Sequence, residues 1–115
     1  MSDIERLTRD IKRFRDARNW KQFHHPKDLA VSLVLEAAEV LEHFQWKNGA
    51  ELDAYLKSNK KHVGDELADV LYWVLLMSHD LGIDLVTAFD RKMRLNAKKY
   101  PIRKVKGKHT KYNRL

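Results

Sequence analysis

The chain has 115 residues, 43% of them hydrophobic, with 23 Lys and Arg against 16 Asp and Glu and a formal net charge of +7. That length fits one domain, and that apolar content supports a core and excludes a disordered chain; helices this few bury little surface, so pairing with a second copy is expected. No cysteine is present, which excludes disulfides, thiolate metal sites and a cysteine nucleophile together.

The segment Met1 to Asp10 is highly charged and does not read as a signal peptide, and the longest apolar run, Val70 to Met77, is far too short to span a bilayer. A soluble, cytoplasmic protein is the expectation. The positive charge is unevenly placed: Ile102 to Leu115 holds Arg103, Lys104, Lys106, Lys108, Lys111 and Arg114 with no acidic residue, and the rest is close to neutral. A nucleic-acid-binding domain more often carries a basic face on its folded body, so no specific nucleic acid is expected.

In chain order, Ser2-Asp3-Ile4-Glu5 fits a capping box. It predicts a first helix to about Arg18, with Ile4, Leu7, Ile11 and Phe14 on one stripe. Asn19 to His25 is a connector rich in rings. Pro26 and Asp28 mark the start of a second helix, running from about Lys27 to Trp46 and stopped by Asn48-Gly49. Its apolar side is Leu29, Leu33, Val40, Leu41 and Phe44. A short helix is expected around Glu51 to Lys57, then a long one from about Lys60 to Leu81 whose middle, Val70 to Met77, is apolar nearly all round and so buried on several sides. Gly82 caps it, and Asp84 caps a last helix that carries Leu85, Val86, Phe89 and Met93 and stops by Tyr100, before Pro101. No strand alternation occurs. The reading is an all-α, four-helix-bundle type of domain over residues 1–101 and a basic tail over 102–115, mobile when free.

Two motifs stand out, Glu36-Ala37-Ala38-Glu39 and Glu66-Leu67-Ala68-Asp69. Residues three apart share a helix face, about 4.5 Å apart along the axis. Either motif alone fits a solvated helix face. Here both pairs lie in apolar surroundings, Leu33 to Leu41 and the run after Asp69. Four carboxylates aimed at one spot repel one another, and burying them unpaired is costly. A hard divalent cation resolves the conflict: Mg²⁺, with Mn²⁺ as the alternative, takes oxygen ligands and leaves room for substrate phosphates. Di-iron bundles use Glu-x-x-His, and no Glu here has His three residues later. Glu42 continues the spacing near the helix end, where a solvent-facing and a ligand role are equally open. His43, His62, His79 and His109 read as surface residues. No glycine-rich phosphate cradle exists, so phosphate falls to metal ions and to Lys or Arg.

The series E-x-x-E, 26 residues, E-x-x-D resembles the MazG-like, all-α nucleoside triphosphate pyrophosphatases, and among them the dCTP pyrophosphatase branch. Asn19-Trp20-Lys21-Gln22-Phe23-His24 before Pro26, Phe44-Gln45-Trp46-Lys47, Asp65 to Leu71, and Lys92-Met93 with Asn96 and Tyr100-Pro101 carry the resemblance over residues 10–101, with Lys111-Tyr112 as an extension. It implies Mg²⁺-dependent hydrolysis of a (deoxy)nucleoside triphosphate to the monophosphate and pyrophosphate. It also implies metal binding by Glu36, Glu39, Glu66 and Asp69, and a homo-oligomer, typically a tetramer made of two dimers, with pockets near subunit interfaces. Trp20 and Trp46 would line the base pocket with His24 close by, and Lys92 and Asn96 would reach sugar or phosphate. Glu39 is the candidate proton acceptor for the attacking water.

Ile11 stands where the animal dCTP enzymes have a histidine, and Trp73 takes the pocket position of their tyrosine. Both changes remove polar groups that could read a base edge. A preference for cytosine is therefore not carried over, and modified dNTPs are equally expected in a nucleotide-pool house-cleaning role. Two alternatives stay open: a phosphoribosyl-ATP pyrophosphohydrolase of the same fold, and a noncatalytic helical oligomer that binds RNA or a protein through its basic tail. The tail itself has three readings: solvated, folded over the triphosphate, or attracting nucleic acid in a salt-sensitive way.

Overall fold

Ser2 opens the first helix as its sequence demands: its hydroxyl accepts from the Glu5 N–H at 3.2 Å, and the Glu5 carboxylate accepts from the Ser2 N–H at 3.1 Å. The computed structural model describes residues 1–115. It is all-α, with α1 Asp3–Ala17, α2 Pro26–Glu42, α3 Gly49–Asp80, α4 Leu85–Lys99 and a short α5 Ile102–Val105. Single 3₁₀ turns lie at Lys21–Phe23 and Tyr112–Arg114. The chain divides into two compact units, Met1–Gly82 and Ile83–Leu115.

In the first unit α2 and α1 both pack on α3. Leu29 of α2 and Leu75 and Leu76 of α3 are the fully buried apolar side chains. The fourth fully buried side chain is Arg15, which the apolar stripe of α1 did not announce. Its guanidinium donates two hydrogen bonds to Asp80, at 2.6 and 3.0 Å, and so ties the end of α1 to the end of α3.

Two boundaries differ from expectation. α2 stops at Glu42, because Trp46 adopts a left-handed backbone (φ 68°) and residues between them turn. Asn48 and Gly49, expected to stop α2, instead cap and begin α3. The two helices expected on either side of Asn59 are both present and together make up α3, meeting at a kink where Asn59 has φ −119° and ψ 15°. The Asn59 side-chain amide donates to the Tyr55 carbonyl at 2.9 Å, a local bond that competes with the helical ladder.

In the second unit Asp84 caps α4 as expected, accepting from the Thr87 N–H at 3.1 Å. The tail, expected to be mobile, carries α5 and a final turn. Tyr112 packs edge-to-face on Tyr100 at 6.0 Å, and the Lys99 ammonium sits 4.7 Å from the Tyr112 ring. This aromatic anchor is one residue, too little to register in the composition of the tail.

Candidate metal centre and the aromatic pocket beside it

The helical repeat puts Glu36 above Glu39 on α2 and Glu66 above Asp69 on α3, and the packing of α2 on α3 brings the two pairs together. Ligand oxygens of all four lie within 4.8 Å of one another. Glu36 and Glu66 are half-buried, and each has one carboxylate oxygen sealed from solvent with no hydrogen-bond partner.

The electrostatic result is a site short of positive charge. Burial first, then a hydrogen bond to Glu39 and the charges of Glu39 and Asp69, push Glu36 above the usual carboxylate range; the Trp73 side chain opposes this by hydrogen bonding. Glu66 is raised to about 7, chiefly by its hydrogen bond to Glu39, then by burial and by the charges of Glu39, Asp69 and Glu36. A proton shared among the four is one remedy and a divalent cation is the other. The orphaned oxygens and the all-oxygen donor set fit a hard cation.

A cavity of about 470 Å³ adjoins the centre. Glu36 and Asp69 line it, and one further turn along the same face of α3 brings in Tyr72 and Trp73. Asp10, Ile11 and Phe14 of α1 and Trp20 of the connector complete the lining. Rings meet at steep angles around it: Phe14 with Trp20 (5.7 Å, 72°), Phe14 with Tyr72 (6.2 Å, 86°) and Tyr72 with Trp73 (4.9 Å, 77°). His24 stands behind Trp73, ring to ring at 5.5 Å and 72°, with its Nδ1 buried and unpartnered. Burial first, and then the Arg15 charge against a smaller pull from Asp80, lowers its pKa below 6.5 and keeps the imidazole neutral.

Of the residues singled out in the sequence, Glu36, Glu39, Glu66 and Asp69 converge, Trp20 and Trp73 line the adjoining cavity, and His24 buttresses Trp73. Trp46 does not line this cavity; its side chain is 87% exposed on a strained left-handed backbone. Lys92, exposed, and Asn96, half-buried, belong to α4 in the second unit. His43, expected at the surface, is half-buried and pairs with the Tyr55 hydroxyl at 2.6 Å. Asp10, Phe14 and Tyr72 went unread as cavity residues. The signal for Tyr72 was present, since it continues the three-residue series Glu66, Asp69, Tyr72.

The chain matches the family model described as MazG-like over residues 31–115. It is 35% identical to rat (Rattus norvegicus) dCTP pyrophosphatase 1 over an alignment of 117 residues, which covers all of this chain and 67% of that protein. Against the human (Homo sapiens) dCTP pyrophosphatase 1 the identity is 32% with the same coverage. Among solved structures it is similar to a pyrophosphatase from Archaeoglobus fulgidus, with a TM-score of 0.81 and 39% identity over 88% of this chain and 94% of that one.

Proposed function

The chain belongs to the MazG-like family of nucleoside triphosphate pyrophosphatases, and we propose that it hydrolyses dCTP or a modified dNTP to the monophosphate and pyrophosphate with Mg²⁺, as a house-cleaning enzyme of the cytoplasmic nucleotide pool. The observation that carries this reading is the adjacency of the four-carboxylate cluster to a ring-lined cavity of about 470 Å³. Phosphate and base need those two environments side by side.

Glu36, Glu39, Glu66 and Asp69 hold the cation. When bound, it neutralises triphosphate charge and polarises the reacting phosphoryl group. Glu39 is more exposed than Glu36 and Glu66. It takes the proton of the attacking water. Water adds to a phosphorus of the α–β bridge, the bridging P–O bond breaks, and attack on either side gives the same two products. Trp20 and Trp73 stack on the base, each worth ~1–3 kcal/mol, and exclude water around it. His24, held neutral, fixes the Trp73 ring from behind.

The enzyme works as a homo-oligomer. Val31, Val34, Leu35 and Leu41 of α2 are about half exposed or more, and a chain of this size leaves them to a second copy. Trp46 joins a base pocket from that second copy. No single helix is long and apolar enough to cross a membrane.

The test is pyrophosphate release from canonical and 5-modified dNTPs and NTPs, with Mg²⁺ and with chelator. Chelator-sensitive release with monophosphate as the co-product is the expected result. One observation favours a second reading: Ile83–Leu115 carries eleven Lys and Arg against two Asp. If no nucleotide is hydrolysed by folded protein with metal present, a noncatalytic RNA- or protein-binding role for that unit takes over.

A further inference from the structure

The chain carries a net charge of +7, yet no Lys, Arg or His lines the cavity. Its charged groups are Asp10, Glu36 and Asp69. Glu36 and Asp69 belong to the metal centre, which leaves the Asp10 carboxylate on the α1 wall without an assigned task. Its ion pairs are loose, 3.5 Å to Arg9 and 3.9 Å to Arg6, and its side chain is 52% exposed. Exposed pairs of this kind hold a carboxylate weakly, so Asp10 can turn to a bound ligand at small cost.

The ring geometry points the same way. Trp20, Phe14, Tyr72 and Trp73 form a series in which each ring stands at 72° or more to the next. A positive charge gains from every π face around it, because each face carries the negative lobe of the ring quadrupole. Two of these rings already meet a cation, the Arg18 guanidinium carbon lying 3.7 Å from the Phe14 ring centroid and 5.9 Å from that of Trp20. Aromatic rings together with a weakly paired carboxylate are the means by which proteins hold a delocalised organic cation.

We infer that the cavity selects nucleobases bearing a positively charged ring at neutral pH, namely ring-N-alkylated bases such as 1-methyladenine, 3-methylcytosine or 7-methylguanine, with Asp10 and the rings of Trp20, Phe14, Tyr72 and Trp73 as the selecting groups. Alkylation of a ring nitrogen creates the charge without removing the triphosphate, so chemical alkylation of the nucleotide pool is the reaction that supplies these substrates. The hydrolytic part rests on the pyrophosphatase reading; the selectivity of the cavity does not.

The experiment compares kcat/KM for dGTP, 7-methyl-dGTP and 7-methyl-7-deaza-dGTP, the last matching the methylated base in shape but neutral. The cation is favoured over both neutral compounds by about tenfold or more, and Asp10→Asn and Trp20→Leu each shrink that ratio. Equal rates for 7-methyl-dGTP and its neutral twin, or a ratio untouched by both variants, overturn the inference. If no nucleotide releases pyrophosphate, the pyrophosphatase reading fails by itself. Tryptophan quenching by the two methylated monophosphates then decides the inference, tighter binding of the cation supporting it and equal binding overturning it.

Discussion

Two places in the first unit withdraw charge from water, and they do so in opposite ways. At the ends of α1 and α3, Arg15 is 1% exposed and meets Asp80 through two parallel hydrogen bonds. Between α2 and α3, four carboxylates face one another with two sealed oxygens unpartnered. The first arrangement balances its own charge and fixes two helices in register. The second is incomplete, which costs stability and is the arrangement expected of a site that a cation completes. A closed charge pair reads as architecture and an open cluster reads as a site.

The contrast has consequences that differ in size. Asp69→Ala or Glu36→Gln should cut turnover by about 10³-fold while circular dichroism and thermal melting show a folded protein. An active variant would mean that the cluster is not the metal centre. Arg15→Ala should do the reverse. It should destabilise the fold by about 3–5 kcal/mol, because Asp80 keeps its charge without a partner. The double variant Arg15→Met, Asp80→Leu should recover most of that in denaturant melts; failure to recover would show that the pair supplies more than mutual neutralisation.

A smaller effect follows from acid titration of the cluster. Folding raises Glu66 from its ordinary 4.5 to about 7. The folded metal-free protein therefore binds more protons than the unfolded chain between those values, and it loses stability as pH rises from about 4.5 through about 7. Melting temperatures of metal-free protein should fall over that window, and Glu66→Gln or added Mg²⁺ should flatten the trend. A rise with pH would contradict the open-cluster account. The smallest change is expected at Asp84, a carboxylate satisfied by a backbone N–H in water. Asp84→Ala should cost about 1 kcal/mol, read from chemical denaturation, with no change in metal affinity.

Much of the fold was legible because its signals are local. The capping box at Ser2, the cap at Asp84 and Pro26 at the first position of α2 work within one helical turn, and each stands where the sequence placed it. The break at Asn59 was legible too, as the gap between a short helix and a long one. The early end of α2 was not, because the left-handed turn at Trp46 has no residue signature; bulky side chains avoid that conformation. The structured tail was missed for a related reason, since Tyr112 finds Tyr100 twelve residues away, beyond any periodicity.

The sequence by itself determined that two carboxylate pairs share helix faces in apolar surroundings, since a repeat of 3.6 residues per turn leaves no other outcome once the segments are helical. It also determined a chain without disulfides, an all-α pattern and a basic tail over residues 102–115. Only the tertiary structure decided that the two pairs meet, that Arg15 is buried against a residue 65 positions away, and that Asp10 and Phe14 line one cavity with Tyr72 and Trp73. Those outcomes depend on how α1 and α2 are set against α3. Helix packing is fixed by side-chain shape at contacts distant in the chain, and no window along a sequence contains both sides of such a contact.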